Sequence, residues 1–325
     1  MPLQDLKPSS HQALKPPLDG VLVVDKTEGP TSHDVVKFAR RALGESRIGH
    51  TGTLDPMATG VLPLVIGRAT RLAQFLTASD KSYEATIAFG RATDTCDATG
   101  KTTATSELRP THDQLATALE AFRGTYEQTP PAYSAKNIDG ERSYDLARKS
   151  KTAVAQRPKA VSVTAKRVEI VSFDGETARV EMQVTAGFYV RSLAHDLGEA
   201  LGCGAHLSAL RRTRSGEFGP EAAVPLADVL QSSREDLAAR MVPMSALLSD
   251  VAAVTLRGAA NLARLKNGVE VGPSDLVTPL VLPDWQLAPE APQVIIRLLG
   301  PEGDLVGLAR PGKTPGFLHG WVVLG

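Results

Sequence analysis

Only two cysteines, Cys96 and Cys203, occur in 325 residues, too few and too far apart for a disulfide framework or a thiolate zinc site. A reducing compartment fits that usage, and the cytoplasm is the expectation. No run of about eighteen apolar residues is present to span a bilayer. The opening residues, MPLQDLKPSSHQALKPP, follow their charges with none of the apolar stretch an export signal needs, and read as a flexible leader over 1–17. Net charge is lacking too: Lys plus Arg equals Asp plus Glu at 36 each, so any nucleic-acid site must be a local patch. The seven histidines are scattered, none at metal-ligand spacing. Asp94, Asp97 and Gly100 have the wrong spacing for a calcium loop, with no Glu to close it, and read as a turn. No internal repeat is visible.

What is present is ordinary globular composition, 42% hydrophobic and 22% charged, in a chain long enough for one large domain plus a smaller one. Val21-Leu22-Val23-Val24 reads as a buried strand. Thr31 and Asp34 then form a capping box ahead of a helix whose apolar stripe is Val35, Val36, Ala39 and Leu43, with Gly44 placed to end it. In SRIGHTGTLDPMATGVLPLVIG, Gly49, Gly52, Gly60 and Gly67 with Pro56 and Pro63 predict a shaped loop without a long regular element. Tyr83, Ala85, Ile87 and Phe89 alternate as in a half-buried strand. Val161/Val163/Ala165 and Ala178/Val180/Met182/Val184, joined through Asp174-Gly175, predict an antiparallel hairpin. Leu193, Ala194, Leu197 and Leu201 predict a helix from about Ser192, stopped at Gly202. Strands and helices mix without βαβ regularity, which favours an α+β fold with a mixed, largely antiparallel sheet. A Pro-rich change of character near residue 250 precedes three short strand-like runs after Val294, which read as a small β-barrel or sandwich.

Few residues stand out chemically. Asp55 is flanked by glycines that let a ligand approach the backbone and by a proline that restricts it, although an Asp before Pro by itself most often starts a turn. His50 could be a base, a ligand or an RNA contact. Arg191 sits where a strand passes into a helix, within reach of a carboxylate on a neighbouring loop. Arg211, Arg212 and Arg214, and Arg142, Arg148 and Lys149, could grip phosphates, but charge runs are usually solvated faces.

Taken in order, GVLVVDKTEGPTSHDVV, RIGHTGTLDPMATGVLPLVIGRATRL, GRATDTCDATG, PPAYSAKNIDGERSYDLAR and GFYVRSLAHDLGEALGCGAHLSALRRTRSGEF resemble the motif series of bacterial TruB-type tRNA pseudouridine synthases. Five motifs in sequence across residues 18–220 are far more specific than TLDP alone. The resemblance implies, after the leader, a pseudouridine synthase catalytic domain at 18–248 and a C-terminal all-β PUA-like RNA-binding domain at 249–325. It implies isomerisation of uridine at tRNA position 55, in the T loop, by base flipping. By motif position, Asp55 becomes the catalytic carboxylate, Tyr83 the ring stacking on the flipped base and Arg191 the partner of Asp55. Tyr189 and Leu210 line the pocket, and His50 enters the T loop. A carboxylate in a closed pocket tends to take up a proton, and an adjacent guanidinium opposes that. Isomerisation changes neither redox state nor composition, so no cofactor or metal is expected. The partner expected is the tRNA T arm, with no membrane and no protein partner required; monomer is the default.

Three positions depart from the family pattern: Thr27 where Lys-Pro is usual, Phe188 for Thr, and Asn137 where a Lys commonly follows Ser-Ala. Two other readings compete. A catalytically silent tRNA-binding or RNA-folding protein could use the same cleft, against which stand the intact Asp55, Tyr83 and Arg191. A guide-dependent synthase shares the catalytic motifs, but PPAYSAKNIDGERSYDLAR resembles the stand-alone bacterial type.

Overall fold

The computed structural model describes residues 16–131, 159–277 and 294–324, with the backbone of a short hairpin at 137–138 and 141–142. Strand β1 (Gly20–Lys26) leads into helix α1 (Ser32–Leu43), then β2 (Ile48–His50), β3 (Thr59–Ile66), a short helix α2 (Ala73–Thr77) and β4 (Lys81–Phe89). Next come β5 (Arg91–Thr93), β6 (Thr102–Thr105), α3 (His112–Glu120), β7 (Gly124–Gln128), β8 (Asn137–Ile138) and β9 (Glu141–Arg142). The long strands β10 (Val161–Phe173) and β11 (Thr177–Val184) precede α4 (Val190–Ala200) and β12 (Ala205–Ser215). After β13 (Ala223–Pro225), α5 (Leu226–Gln231), α6 (Arg234–Ala239) and β14 (Val242–Pro243) lie β15 (Ala253–Thr255), α7 (Ala259–Lys266), β16 (Ile296–Leu299), β17 (Leu305–Pro311) and β18 (Leu318–Val323).

The main sheet runs β13-β1-β3-β12-β4-β11-β10-β7, with β14 pairing β1 and β2 pairing β3. Only the β1–β13 and β3–β12 pairs are parallel, so the α+β, largely antiparallel expectation holds. The capping box forms as its residue types dictate: the Thr31 hydroxyl accepts from the Asp34 amide, and the Asp34 carboxylate accepts from the Thr31 amide. Gly44 closes α1 at φ 62°. The hairpin β10–β11 turns at Asp174, whose carboxylate accepts from the Glu176 and Thr177 amides.

Both faces of β1 and β3 are covered. Leu22, Val24, Leu62, Leu64 and Ile66 enter the core beneath α1 and α4. Val21, Val23, Val61 and Val65 enter a second core with Leu305, Leu308, Val322 and Leu324 from the C-terminal sheet β15-β16-β17-β18. Double coverage is why VLVV reads as an unbroken apolar run rather than an alternating one. Across that seam, Phe75 on α2 meets Trp321 edge-to-face with ring centroids 5.0 Å apart, and Arg68 donates to the Leu324 carbonyl at 3.3 Å.

One expectation fails. The segment after His50 is not loop throughout, because residues 59–66 form β3 in the middle of the sheet. Pro63 has no N–H to give, and it stands where none is asked for: on one edge β12 pairs only with Thr59 and Gly60, and β2 takes over at Leu64. Gly60 lies at φ 102°, where a Cβ would stand 2.2 Å from the Arg212 carbonyl oxygen. The glycine is what lets β12 pair so closely. Among the described residues, no helix is long and apolar enough to cross a membrane.

Candidate active site

The loop between β2 and β3 carries Asp55, and its backbone is tied on every side. Ser32, buried at the start of α1, accepts from the Leu54 amide at 2.8 Å and donates to the Leu54 carbonyl at 3.0 Å. The Asp55 carbonyl accepts from the Ala58 amide at 3.0 Å. Lys26, wholly buried, donates to the carbonyls of Ala58 at 2.6 Å, Thr27 at 3.0 Å and Pro56 at 3.2 Å. Burial pulls Lys26 down to about 8, opposed chiefly by the nearby Asp55 carboxylate. Thr27, which replaces a usual Pro, lies in a turn held by the Gly29 amide donating to the Pro56 carbonyl at 2.9 Å.

Against this rigid loop stands Arg191, in the first turn of α4. Its Nε donates to Asp55 Oδ2 at 2.8 Å and its Nη2 to Asp55 Oδ1 at 3.2 Å, the forked geometry that gives a guanidinium–carboxylate pair both strength and direction. The Arg191 side chain is 6% exposed and that of Asp55 33%. The acid therefore faces the cleft while the base lies behind it. Arg191 Nη1 donates to the Thr95 carbonyl at 3.1 Å, and Asp97 Oδ2 lies 3.8 Å from Nε.

The start of α4 is positioned by β7. Gln128, fully buried, accepts from the Tyr189 amide at 2.8 Å and donates to the Tyr189 carbonyl at 3.1 Å, supplying the N-terminal amide with a partner that no cap side chain provides. Phe188 packs edge-on to Tyr126, ring centroids 6.1 Å apart, so the departure from Thr adds an apolar wall here.

These elements enclose a cleft of about 230 Å³ lined by Asp55, Tyr83, Tyr189, Arg191 and Leu210, with Phe188, Lys81 and Arg212 among the remaining walls. Five of the six residues expected from sequence thus meet in one place. His50 does not line it. It ends β2 just before the loop, its Nδ1 accepting from the Gly52 amide at 3.4 Å, and burial followed by the Arg212 charge lowers its pKa. Tyr83 on β4 pairs with Met182 of β11 and Arg212 of β12, which sets its ring at the centre of the sheet.

The basic clusters come out differently from expectation. Arg211 is bound to Asp25 by two hydrogen bonds, at 2.8 and 3.0 Å, with its side chain still 41% exposed, whereas Arg212 is 1% exposed, so of these two only Arg212 leaves the solvated face. Arg148 and Lys149 lie outside the described residues, as do the side chains of Asn137 and Arg142. Asp97, read from sequence as part of a turn, is in that turn but buried. Its Oδ1 accepts from the hydroxyls of Thr95 and Thr99 at 2.7 and 2.6 Å and from the Thr99 amide at 3.0 Å, which leaves Oδ2 towards Arg191. Its only sequence signal was the hydroxyl-rich setting TDTCDAT, insufficient by spacing. Lys26, Lys81 and Arg212 carried no signal that separates a buried cation from an exposed one.

A family profile described as TruB family pseudouridylate synthase (N terminal domain) matches residues 40–190, and one described as tRNA pseudouridylate synthase B C-terminal domain matches residues 191–249. The chain is 48% identical over 253 residues to tRNA pseudouridine synthase B of Solibacter usitatus (strain Ellin6076), covering 77% of this chain and 85% of the relative. It is 39% identical over 310 residues to tRNA pseudouridine synthase B of Cupriavidus metallidurans (strain CH34), covering 93% and 95%. In fold it is similar to a chain of a Cbf5-Nop10-Gar1 complex, with TM-score 0.69 and 25% identity over 95% of this chain and 85% of that one. It is likewise similar to a chain of an H/ACA RNP bound to a substrate RNA containing 2'-deoxyuridine, with TM-score 0.70 and 24% identity over 94% and 85%.

Proposed function

The chain belongs to the TruB family of pseudouridylate synthases, and from that membership we propose that it converts the uridine at position 55, in the T loop of tRNA, to pseudouridine, acting alone and without a guide RNA. The observation that carries this reading is the forked Asp55–Arg191 pair at the wall of a cleft of about 230 Å³ that also holds the Tyr83 ring.

A uridine stacked in an RNA loop cannot reach Asp55, so the nucleotide must leave its stack at a cost of a few kcal/mol. Tyr83 offers an aromatic face in the cleft, and stacking on it returns about 1–3 kcal/mol. Leu210 and Phe188 exclude water from the base. Isomerisation breaks the C1′–N1 bond, turns the uracil in place and forms C1′–C5; the proton on C5 passes to solvent and N1 takes one up. The Asp55 carboxylate, presented in a fixed direction by Arg191, acts on the ribose, either attacking C1′ or removing a ribose proton. The reaction is redox-neutral overall. His50, at the end of β2 just before the Asp55 loop, is suited to meeting an RNA base rather than a phosphate, because burial and Arg212 disfavour its protonated form. We propose further that residues 249–325 serve as a PUA-like RNA-binding domain.

The test is to incubate an unmodified tRNA transcript with the protein alone and map pseudouridine by carbodiimide adduct formation and primer extension. One stop at the T-loop position is the expected result. Modification elsewhere, or only on addition of a guide RNA, overturns the assignment.

A further inference from the structure

Two cations in the cleft have no ion-pair partner among the described residues. Arg191 is matched by Asp55 and Asp97. Lys81 and Arg212, 6% and 1% exposed, line the same cleft, yet among the described residues both donate only to backbone carbonyls. Lys81 Nζ donates to Thr77 at 2.5 Å and Ser79 at 2.6 Å, and Arg212 donates to Val61 at 2.7 Å and Gly52 at 3.0 Å. An ammonium has three N–H donors and a guanidinium five, so each keeps donors beyond those used. The two converge: Arg212 Nη1 and Lys81 Cε lie 3.4 and 3.7 Å from the point where a Cβ on Gly52 would stand. Burial and then the Arg212 charge pull Lys81 down to about 8, with Asp80 opposing. Holding two like charges together under cover is costly unless a ligand supplies the opposite charge.

We propose that Lys81 and Arg212 together hold one phosphodiester of the RNA strand adjoining the nucleotide in the cleft, and so act as positioning residues that fix the sugar over Asp55. The proposal rests on the RNA-modifying function argued above. The ligand has to be anionic, compact and rich in acceptors. A phosphodiester flanking the flipped nucleotide meets all three requirements, and it arrives with the substrate. Both brace backbone carbonyls, but Arg212 ties Gly52 in the loop that carries Asp55 whereas Lys81 ties only Thr77 and Ser79, so Lys81 is the residue to vary.

The probe is a T-arm RNA hairpin carrying a single neutral methylphosphonate on either side of the target uridine, with binding measured over a series of salt concentrations. For the wild-type protein, one of the two substitutions weakens binding about tenfold. Lys81→Met weakens binding to the unmodified hairpin by a similar factor, lowers the slope of log affinity against log salt by about one, and is indifferent to the methylphosphonate. Lys81→Arg keeps both the slope and the methylphosphonate penalty. If neither methylphosphonate weakens wild-type binding, the proposal is overturned, whatever the variants do. It is equally overturned if Lys81→Met keeps the full slope and the full penalty, as it would were the cations answered by free anions from the buffer. Conversion of the hairpin is scored in the same samples: its absence in the wild type overturns the T-loop assignment, while the Lys81–phosphate coupling is read from binding alone.

Discussion

Asp97 places its Oδ2 3.8 Å from Nε of Arg191, so the guanidinium that clasps Asp55 stands between two carboxylates. Asp97 is itself fixed by three hydrogen bonds from Thr95 and Thr99. It restrains where Arg191 can aim, and through Arg191 where Asp55 can aim.

Asp97→Asn removes that charge while keeping the side chain's shape. We expect the single-turnover rate of pseudouridine formation to fall by about 10–100-fold, the usual effect of removing a group that orients an active-site residue, with tRNA affinity changed by less than about threefold. Rapid-quench kinetics and filter binding separate the two. An unchanged rate removes Asp97 from the site.

Lys26 gives a dependence on pH. Its folded value of about 8 is below the ordinary 10.5, so above pH 8 the unfolded chain holds this proton more tightly than the folded one. The sign follows: the stability contributed by Lys26 is lowest below pH 8 and rises as pH climbs from about 8 towards 10.5. Wild type minus Lys26→Met, in urea unfolding, should therefore grow by about 1–2 kcal/mol between pH 7 and 9.5. A difference that stays level over that range contradicts the burial of a charged Lys26.

Gly60 and Gly44 both have positive φ, 102° and 62°, but only at Gly60 would a Cβ strike another strand, 2.2 Å from the Arg212 carbonyl oxygen. Gly44→Ala should cost about 1–2 kcal/mol, the strain of a left-handed residue. Gly60→Ala should cost more than about 4 kcal/mol, the range in which a named steric mechanism is required, and should disturb the Thr59/Gly60 pairing with β12. Equal losses in denaturant titrations would show that strand contact is not what the glycine serves.

Phe75 and Trp321 tie the two sheets together. A double-mutant cycle with Phe75→Leu and Trp321→Leu should return a coupling of about 0.5–1.5 kcal/mol, as for other edge-to-face aromatic pairs. Additive losses would mean that the seam is held by its aliphatic core and by the hydrogen bonds of Arg68 to Leu324 and Arg71 to Val323.

Where one periodicity dominated, the fold was legible from residues. The capping box of α1, the alternation in β4 and the β10–β11 hairpin all came from local chemistry that tertiary context did not override. β3 was hidden because Pro63 and Gly60 are read as breakers, and only the arrangement of β2 and β12 along one edge makes them admissible. The site divides similarly. Asp55 and Arg191 stood out by their local setting, but the roles of Asp55, Tyr83, Tyr189, Arg191 and Leu210 were named through ordered motifs, and the fold brings all five to one cleft. Asp97 was read only as part of a turn, Lys26 and Lys81 were passed over and Arg212 was read as surface charge, since burial of a lone charged side chain is set by tertiary packing and not by its sequence neighbours.

The central claim is that Asp55, aimed by Arg191, carries out uridine isomerisation. It is tested most directly by tritium release from a tRNA transcript labelled at uridine C5, comparing wild type with Asp55→Asn and adding neither cofactor nor guide. The account requires the wild type to release one equivalent per tRNA, and the variant to release none while still binding the RNA. Release by Asp55→Asn at a rate near that of the wild type would contradict it.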